Sequence, residues 1–248
     1  TQPSILLVSY AIFTVLKNEF NFNFEKVKYF AGHSLGEYSA LLCGNSLTFK
    51  DALYLLFERG KSMQEAVPVG EGGMIAVLGS SIDDINVCIS QLKNKGVCEI
   101  ANDNAEGQII VSGNIKTIEE LKNILKENKK KSISLPVSAP FHCSLMKPAA
   151  FKMKEKINNT NFTQPKYEII SNVTSLPANN PVDIKNLLIQ QIYSKVRWRE
   201  SITYMAESGV NEFIEIGPGK VLSGMVKRIV KNVICENINS EEDIKKIL

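Results

Sequence analysis

The residues Gly32-His33-Ser34-Leu35-Gly36 form a G-x-S-x-G motif whose residue types suit a serine nucleophile. An apolar run precedes the motif and a helical pattern follows it, as in the strand-to-helix turns that expose a nucleophilic serine. Free backbone N–H groups at the start of the following helix can stabilise a developing oxyanion, and the N–H of Leu35 is the predicted donor. The same pattern also fits an ordinary helix-capping serine, because the motif alone is a weak signal.

A serine nucleophile needs a base that takes its proton. The chain contains two histidines, His33 and His142. His33 adjoins Ser34, and neighbouring side chains at a sharp turn point apart. His142 is therefore the predicted base, in a loop of the kind where catalytic groups often lie. Cys143 is a rival nucleophile, but directly after His142 in an extended stretch it should point away from the same site.

Apolar periodicity predicts the elements that must position these side chains. Predicted helices cover 4–20, 35–44, 49–65, 81–92, 117–128, 145–158, 184–193, 198–207 and a last segment ending near 231. Predicted strands cover 27–31, 74–78, 97–101, 108–112, 131–135, 167–171 and 213–216. Strands that alternate with helices indicate a layered α/β fold.

The segment from 70 to 135 has its own order, β-α-β-β-α-β, which is that of the ferredoxin-like split unit. Ser81 is the predicted cap of its first helix, and Thr117-Ile118-Glu119-Glu120 predicts a capping box at the start of its second. Turn-forming residues flank the segment on both sides. We therefore predict a subdomain, 70–135, inserted into a core formed by 1–69 and 136–248.

The composition excludes several function classes. The length of 248 residues suits one large domain, or one domain with an inserted smaller one, and 44% hydrophobic with 22% charged residues is ordinary for a globular protein. A formal net charge of +3 is too small to indicate nucleic-acid binding. No apolar run approaches the roughly 18 residues of a membrane span. Five cysteines without a C-x-x-C pair predict free thiols in a reducing compartment, and with two histidines no zinc site is expected.

Five segments resemble, in the same order, the malonyl-CoA:acyl carrier protein transacylases of type II fatty acid synthesis: GHSLGEYSAL, ERGKSMQEA, GMIAVLG, SAPFHCSLM and EIGPGKVLSGMVKRI. The resemblance extends over almost the whole chain. It implies an α/β-hydrolase-like core with an inserted ferredoxin-like subdomain. It also implies ping-pong transfer of a malonyl group from malonyl-CoA, through the serine, to the pantetheine thiol of acyl carrier protein, without a cofactor.

The resemblance implies that Ser34 is the nucleophile and His142 the base, and it implies roles for further residues. Arg59 would bind the free malonyl carboxylate, for which a planar guanidinium is suited. Gln191 matches the glutamine whose carbonyl orients the histidine, and the adjacent Gln190 leaves this assignment open. Phe141 matches a phenylalanine that goes with malonyl rather than methylmalonyl units, because the ring fills the space of a branch.

Two departures from the family pattern are visible. The family begins with a strand and a G-Q-G-S-Q loop, whose glutamine N–H completes the oxyanion hole, and no such stretch exists here. The chain is thus expected to be N-terminally truncated, without a core strand and one oxyanion donor, whose loss costs about 10²–10³ in rate. Lys195 stands where the family usually has proline, so we expect a local loop change.

The resemblance also implies the partners, malonyl-CoA and acyl carrier protein, with no nucleic acid and no membrane. Such carrier proteins are small and acidic and should bind a basic surface. The spacing of Lys220, Lys227 and Lys231 predicts one face of a C-terminal helix as that surface. A bacterial-type enzyme implies the bacterial cytoplasm or a plastid-like organelle, and not secretion.

Two other functions fit parts of the pattern. A serine esterase or thioesterase of the α/β-hydrolase class needs the same serine and histidine. Such enzymes usually place the histidine near the C-terminus, whereas about a hundred residues follow His142, and Arg59 would have no evident role. A non-catalytic binding module is the second alternative, in which Ser34 would not react with a fluorophosphonate.

Overall fold

The computed structural model describes residues 1–247. Its helices are α1 Gln2–Asn18, α2 Gly36–Cys43, α3 Phe49–Gln64, α4 Ile82–Ser90, α5 Ile115–Glu127, α6 Lys147–Asn159, α7 Pro181–Gln191, α8 Trp198–Glu207, α9 Val221–Ile229 and α10 Glu241–Ile247. Its strands are β1 Tyr29–Ala31, β2 Gly72–Leu78, β3 Cys98–Ala105, β4 Gln108–Asn114, β5 Lys131–Ser134, β6 Glu168–Ile170, β7 Pro177–Ala178, β8 Glu212–Ile216 and β9 Ile234–Ile238. This mixture of strands and helices confirms the predicted α/β class.

The larger unit of the molecule is built on short parallel strands between helices. β1 pairs in parallel with β6, with Phe30 opposite Ile169, and β7 adds antiparallel to β6. β8 and β9 form a second parallel pair. The main apolar cluster of the larger unit combines side chains of α2, α3 and α6, among them Leu41, Leu56 and Met153. Because β1 and β6 run in the same direction, the segments that follow them meet at one edge of the sheet.

The smaller unit, residues 72–134, is a four-stranded antiparallel sheet in the order β3-β4-β2-β5. α4 and α5 connect its strands and pack on the sheet through a separate apolar cluster that includes Ile75, Val111 and Leu121. Ser81 caps α4 as predicted, in a reciprocal capping box with Asp84. The unit thus has a core of its own.

The capping box predicted at Thr117 is wrong. α5 begins at Ile115, two residues earlier, so Thr117 lies inside the first turn of the helix. Its single hydroxyl proton is shared between the carbonyl oxygens of Val97 and Asn114, which lie 2.8 and 2.7 Å from Oγ1. The threonine therefore ties the helix start to the residue that precedes β3.

Hydrogen bonds join the two units at the outer edge of β3. The N–H of Val196 donates to the carbonyl of Ala101 at 2.8 Å, and the carbonyl of Val196 accepts from the N–H of Asp103 at 2.9 Å. The buried Asp103 carboxylate also accepts hydrogen bonds from Arg199 on α8 at 2.9–3.0 Å. The smaller unit is thereby fastened to the segment around α8.

Most predicted elements end within four residues of the observed ones, and α8 has the predicted bounds. β7, β9 and α10 were not predicted. None of the helices among residues 1–247 combines the length and the hydrophobicity of a membrane-spanning segment. Over the same residues, no group of three or more His, Cys, Asp or Glu side chains is placed to hold a metal ion.

Candidate active site

Ser34 lies at the sharp turn between β1 and α2. Its φ of 55° falls in the left-handed region, which costs an L-residue about 1–2 kcal/mol. Gly32 makes the turn possible, because a Cβ at this position would lie 2.0 Å from the carbonyl carbon and oxygen of Gly36. A Cβ on Gly36 would meet no atom within 4 Å. Packing therefore requires the first glycine of the motif and not the second.

His142 brings its imidazole to the serine. Its Nε2 lies 2.8 Å from Ser34 Oγ, and its Nδ1 lies 2.9 Å from the backbone carbonyl oxygen of Gln191. Because a carbonyl only accepts, Nδ1 carries the proton and Nε2 offers its lone pair to the serine hydroxyl. Burial, with a smaller effect from the charge of Arg59, lowers the pKa of His142 to about 3. The ring is neutral near pH 7 and can accept a proton.

Arg59 lies beside the serine with 1% of its surface exposed, which excludes a solvent-facing position. Its Nη2 donates to Ser34 Oγ and to Gln191 Oε1, both at 3.0 Å, and its Nη1 donates to Gln2 Oε1 at 2.7 Å. All three partners are uncharged, and Arg59 forms no ion pair within residues 1–247. A buried cation with neutral partners is suited to bind an anionic group next to the serine.

Two amide side chains hold the backbone around Ser34. Asn172 Oδ1 accepts from the Ser34 N–H at 2.6 Å, and Asn172 Nδ2 donates to the carbonyl of Gly32 at 2.8 Å. Gln191 Nε2 donates to the carbonyl of Ser34 at 3.0 Å. Gln191 is fully buried, whereas Gln190 is exposed. The structure therefore brings Gln191, and not its neighbour, to the serine.

Leu35 and Phe141 adjoin the serine and the histidine in sequence. The N–H of Leu35, the predicted oxyanion donor, forms no hydrogen bond to any of residues 1–247. It lies at the N-terminus of α2, where the helix dipole favours negative charge. The N–H of Ser34 is already bound by Asn172. Phe141, the residue that directly precedes His142 in sequence, is partly buried, and its ring packs against apolar clusters of both units.

His33 and Cys143 are engaged away from the serine hydroxyl. His33 Nε2 lies 2.8 Å from Asn104 Oδ1, and its ring packs edge-on against Trp198. Cys143 is buried, and its Sγ donates to the carbonyl of Pro140 at 3.1 Å. Burial raises the pKa of the Cys143 thiol, which disfavours the nucleophilic thiolate.

Asn172 and Glu37 belong to the site but are not among the residues predicted from the sequence. Asn172 comes shortly after β6, at the edge where Ser34 follows β1. A polar residue at the carboxyl end of a parallel strand is the signal that identifies such a position. Glu37 is 3% exposed on α2 and its carboxylate accepts from the N–H of Asn172. A carboxylate within a helix of small and apolar residues is the weaker signal for it.

The three lysines predicted to share one helix face do not share it. α9 spans Val221–Ile229, so Lys220 precedes the helix and Lys231 follows it. The helix ends early because Val230 takes extended backbone that leads toward β9. Lys227 and Lys231 remain neighbours, since Lys231 Nζ donates to the carbonyl of Lys227 at 3.3 Å. All three side chains are exposed.

Comparisons with known proteins identify the family to which the chain is similar. The family model described as acyl transferase domain matches residues 1–246. The malonyl CoA-acyl carrier protein transacylase of Bacillus subtilis is 42% identical over 98% of this chain and 76% of its own length. An acyl-carrier-protein-S-malonyltransferase structure from Bartonella henselae is 41% identical, with a TM-score of 0.96 over 100% of this chain and 79% of that one. A malonyl-transacylase in complex with its type II PKS acyl-carrier protein is 35% identical, with a TM-score of 0.95 over 100% of this chain and 79% of that one. The chain therefore belongs to the acyl transferase family, among the malonyl CoA-acyl carrier protein transacylases.

Proposed function

We propose that this chain transfers a malonyl group from malonyl-CoA to the pantetheine thiol of acyl carrier protein, through a malonyl ester of Ser34. One observation carries the proposal: Ser34 Oγ has a neutral imidazole at 2.8 Å and the buried Arg59 guanidinium at 3.0 Å. The imidazole is a base, and the guanidinium is a counter-charge for an acyl group that ends in a carboxylate. In a malonyl ester one CH₂ separates the ester carbonyl from that carboxylate, which suits a cation beside the nucleophile.

In the first half-reaction, Ser34 Oγ attacks the thioester carbonyl of malonyl-CoA while His142 Nε2 takes the hydroxyl proton. The N–H of Leu35 donates to the oxyanion that develops on the carbonyl oxygen. The C–S bond then breaks, and His142 returns the proton to the sulfur of CoA. The products are free CoA and malonyl-Ser34.

In the second half-reaction, His142 accepts the proton of the carrier thiol, and the sulfur attacks the ester carbonyl. The bond to Ser34 Oγ breaks, and this oxygen regains the proton from the imidazole. No water is consumed, so acyl transfer requires that the carrier thiol reacts faster than water does. The backbone carbonyl of Gln191 keeps the imidazole in the same tautomer throughout both steps.

Two side chains would set the choice of acyl group. Arg59 favours a free carboxylate over the methyl group of an acetyl unit, because only the carboxylate compensates its buried charge. Phe141 occupies space next to His142, which supports a preference for the unbranched malonyl unit over methylmalonyl. The burial of Arg59 and the packing of Phe141 support these two proposed roles.

For the architecture, we propose an α/β-hydrolase-like core of residues 1–69 and 136–248 with a ferredoxin-like subdomain of residues 70–135. The strand order β3-β4-β2-β5 and the two helices between these strands support the subdomain. The parallel pair of β1 and β6, with Ser34 at its carboxyl edge, supports the core.

For the compartment, we propose the bacterial cytoplasm or a plastid-like organelle. The five cysteines are free thiols, which fits a reducing environment: Cys43, Cys88, Cys98, Cys143 and Cys235. Bacillus subtilis and Bartonella henselae, the sources of two relatives above, are bacteria.

The test is intact-protein mass spectrometry after incubation with malonyl-CoA, followed by peptide mapping and by addition of carrier protein bearing its pantetheine. The expected adduct lies on Ser34 and moves to the carrier. Ser34→Ala should carry no adduct, whereas the matched variant Cys143→Ala should keep it. An adduct that persists in Ser34→Ala contradicts the assignment.

The same experiment separates the alternatives. A serine hydrolase would lose the acyl group to water at a similar rate with and without the carrier, and would cleave a simple aryl ester. A non-catalytic module would gain no adduct and would leave a fluorophosphonate unreacted at Ser34.

A further inference from the structure

Glu37 is a buried carboxyl group close to Ser34 that the proposed transfer steps do not use. Only 3% of its surface is exposed. Its Oε2 accepts two hydrogen bonds, from Gln191 Nε2 at 2.7 Å and from the N–H of Asn172 at 3.0 Å. A buried carboxylate is costly unless other groups compensate its charge, so its place beside the serine indicates a role in the site.

Both partners of Glu37 hold the reacting residues. Asn172 binds the N–H of Ser34, and the Gln191 side chain binds the carbonyl of Ser34. The backbone carbonyl of Gln191 binds Nδ1 of His142. Nucleophile and base are therefore both held by residues that share one carboxylate oxygen.

Glu37, together with Arg59 and the carbonyl of Ser34, determines which way round the Gln191 amide lies. The amide directs its Nε2 to Glu37 and its Oε1 to Arg59 Nη2. The opposite orientation would place N–H donors of the amide and the guanidinium face to face, and two oxygens against each other. The carboxylate thus fixes an acceptor for Arg59 and supplies negative charge to it across a neutral amide.

We propose that Glu37 is the positioning residue of this site, whose carboxylate orients Gln191 and Asn172 so that Ser34 and His142 stay aligned for acyl transfer. The inference rests on the proposed function, in which Ser34 holds the malonyl group as an ester. Both bonds at Oε2 come from N–H donors, and an ionised carboxylate accepts such bonds more strongly than a neutral acid or an amide does. Loss of the charge should therefore loosen the alignment without removing any group that touches the substrate.

The charge state of Glu37 makes this role measurable. Burial raises the pKa of Glu37 to about 7, whereas the pKa of His142 is about 3. Around them, burial raises the pKa of Tyr38 to about 12, lowers the pKa of His33, and lowers the pKa of Arg59, which stays cationic. Of these groups, Glu37 is the one whose pKa lies at about 7. Its carboxylate is present above about pH 7 and is lost as the pH falls through that value.

The test compares the unaltered protein with Glu37→Gln. Glu65→Gln is the matched control, because Glu65 is exposed and pairs with Lys152 on the surface. The rate of Ser34 modification is measured from about pH 5 to about pH 9 with a fluorophosphonate, which has no titrating group in that range. Malonyl-CoA then supplies the acylation rate and KM.

At about pH 8, Glu37→Gln should react about 10- to 100-fold more slowly, as expected for weakened hydrogen bonds to a charged group. Its KM for malonyl-CoA should stay within about twofold, because the proposed transfer steps give Glu37 no contact with malonyl-CoA. The rate of the unaltered protein should fall as the pH drops through about 7, and the rate of Glu37→Gln should not. The two profiles should therefore converge at low pH, which a merely structural role would not produce.

Three results would overturn the inference: a flat pH profile of the unaltered protein over this range, a Glu37→Gln rate within about twofold of the unaltered rate at pH 8, or a fall in the Glu37→Gln rate at acid pH. If Glu37→Gln does not fold, the pH profile of the unaltered protein decides by itself. If the unaltered protein acquires no malonyl group at Ser34, the proposed function fails and this inference with it. If that adduct forms and Glu37→Gln reacts normally, only the role of Glu37 fails.

Discussion

Arg59 has a burial that suits its proposed substrate. Removing a charged group from water costs several kcal/mol, and the neutral partners of Arg59 compensate this only in part. The same burial lowers the pKa of Arg59 from its usual value. A malonyl carboxylate bound to the guanidinium would offset this cost, whereas an acetyl group would not. Arg59 would therefore determine the specificity for the acyl group as well as bind it.

Replacing Arg59 by alanine should reduce malonyl transfer about 10²–10³-fold, the loss typical of a broken buried ion pair. Acetyl transfer should fall less, because an acetyl group has no carboxylate for Arg59 to bind. Arg59→Lys should recover malonyl transfer only in part, since an ammonium lacks the planar fork. The measurement is kcat/KM for malonyl-CoA and acetyl-CoA, with Lys61→Ala as the exposed control on the same helix. Equal losses for both substrates would remove Arg59 from the carboxylate pocket.

At the scale of single residues, the sequence predicts a site residue when a motif marks it or when few residues of its type are present in the chain. Ser34 stands in G-x-S-x-G, and His142 is the one histidine not adjacent to it. Asn172 and Glu37 carry no such mark, because they meet the serine turn only through tertiary contacts. The hydrogen bond between these two joins residues 135 positions apart. Local patterns can mark each position, but they do not show that the two residues contact each other.

At the scale of elements, the turn from β1 into α2 depends on one glycine. A side chain on Gly32 would overlap the backbone of Gly36, and backbone atoms cannot give way as the end of a flexible side chain can. Gly36 has open space around its own Cβ position and begins the helix. The two glycines of the motif are therefore unequal, although the sequence analysis cannot distinguish them.

Gly32→Ala should destabilise the protein by about 3 kcal/mol or more, because the serine turn must deform to admit the methyl group. Gly36→Ala should leave stability unchanged or raise it by about 0.5–1 kcal/mol, since alanine favours helix over glycine. Urea unfolding of the two variants beside the unaltered protein measures both effects. Similar stabilities for the two variants would contradict the proposed difference.

Element prediction succeeds where periodicity is long and fails where pairing decides. The amphipathic helices α3 and α8 have ends within one residue of the predicted positions. β9 lies in a polar stretch in which Cys235 and Ile238 are buried by pairing with β8 and by packing. A two-residue strand such as β7 has no periodicity of its own. At Thr117 the sequence has the letters of a capping box, but the turn from β4 starts the helix earlier.

At the scale of the whole molecule, the proposed carrier docking surface is smaller than the sequence indicates. Lys227 and Lys231 stay together at the end of α9, while Lys220 lies at its other end. Arg228 is already engaged, since its Nη1 donates to Gln108 Oε1 on the smaller unit. Lys227 and Lys231 are therefore the pair on which an acidic carrier protein would act most directly.

Reversing both charges in Lys227→Glu/Lys231→Glu should raise the KM for carrier protein about 3- to 10-fold at low ionic strength, with a smaller effect as salt is added. Malonylation of Ser34 from malonyl-CoA should stay nearly unchanged, because that half-reaction does not involve the carrier. Lys245→Glu/Lys246→Glu on α10 is the control with the same change in net charge. A carrier KM unaffected at low salt would place the docking surface elsewhere, and a parallel loss of self-malonylation would indicate a damaged fold.

The bonds of Val196 to β3 have a consequence for amide hydrogen exchange. The N–H groups of Val196 and Asp103 are each bonded across the boundary between the two units. Such hydrogens exchange with solvent only when the bond that holds them opens. The exchange rates of these two amides therefore report how often the smaller unit separates from the larger one. If both exchange as slowly as the amides inside β2 and β4, the two units open only when the whole protein unfolds.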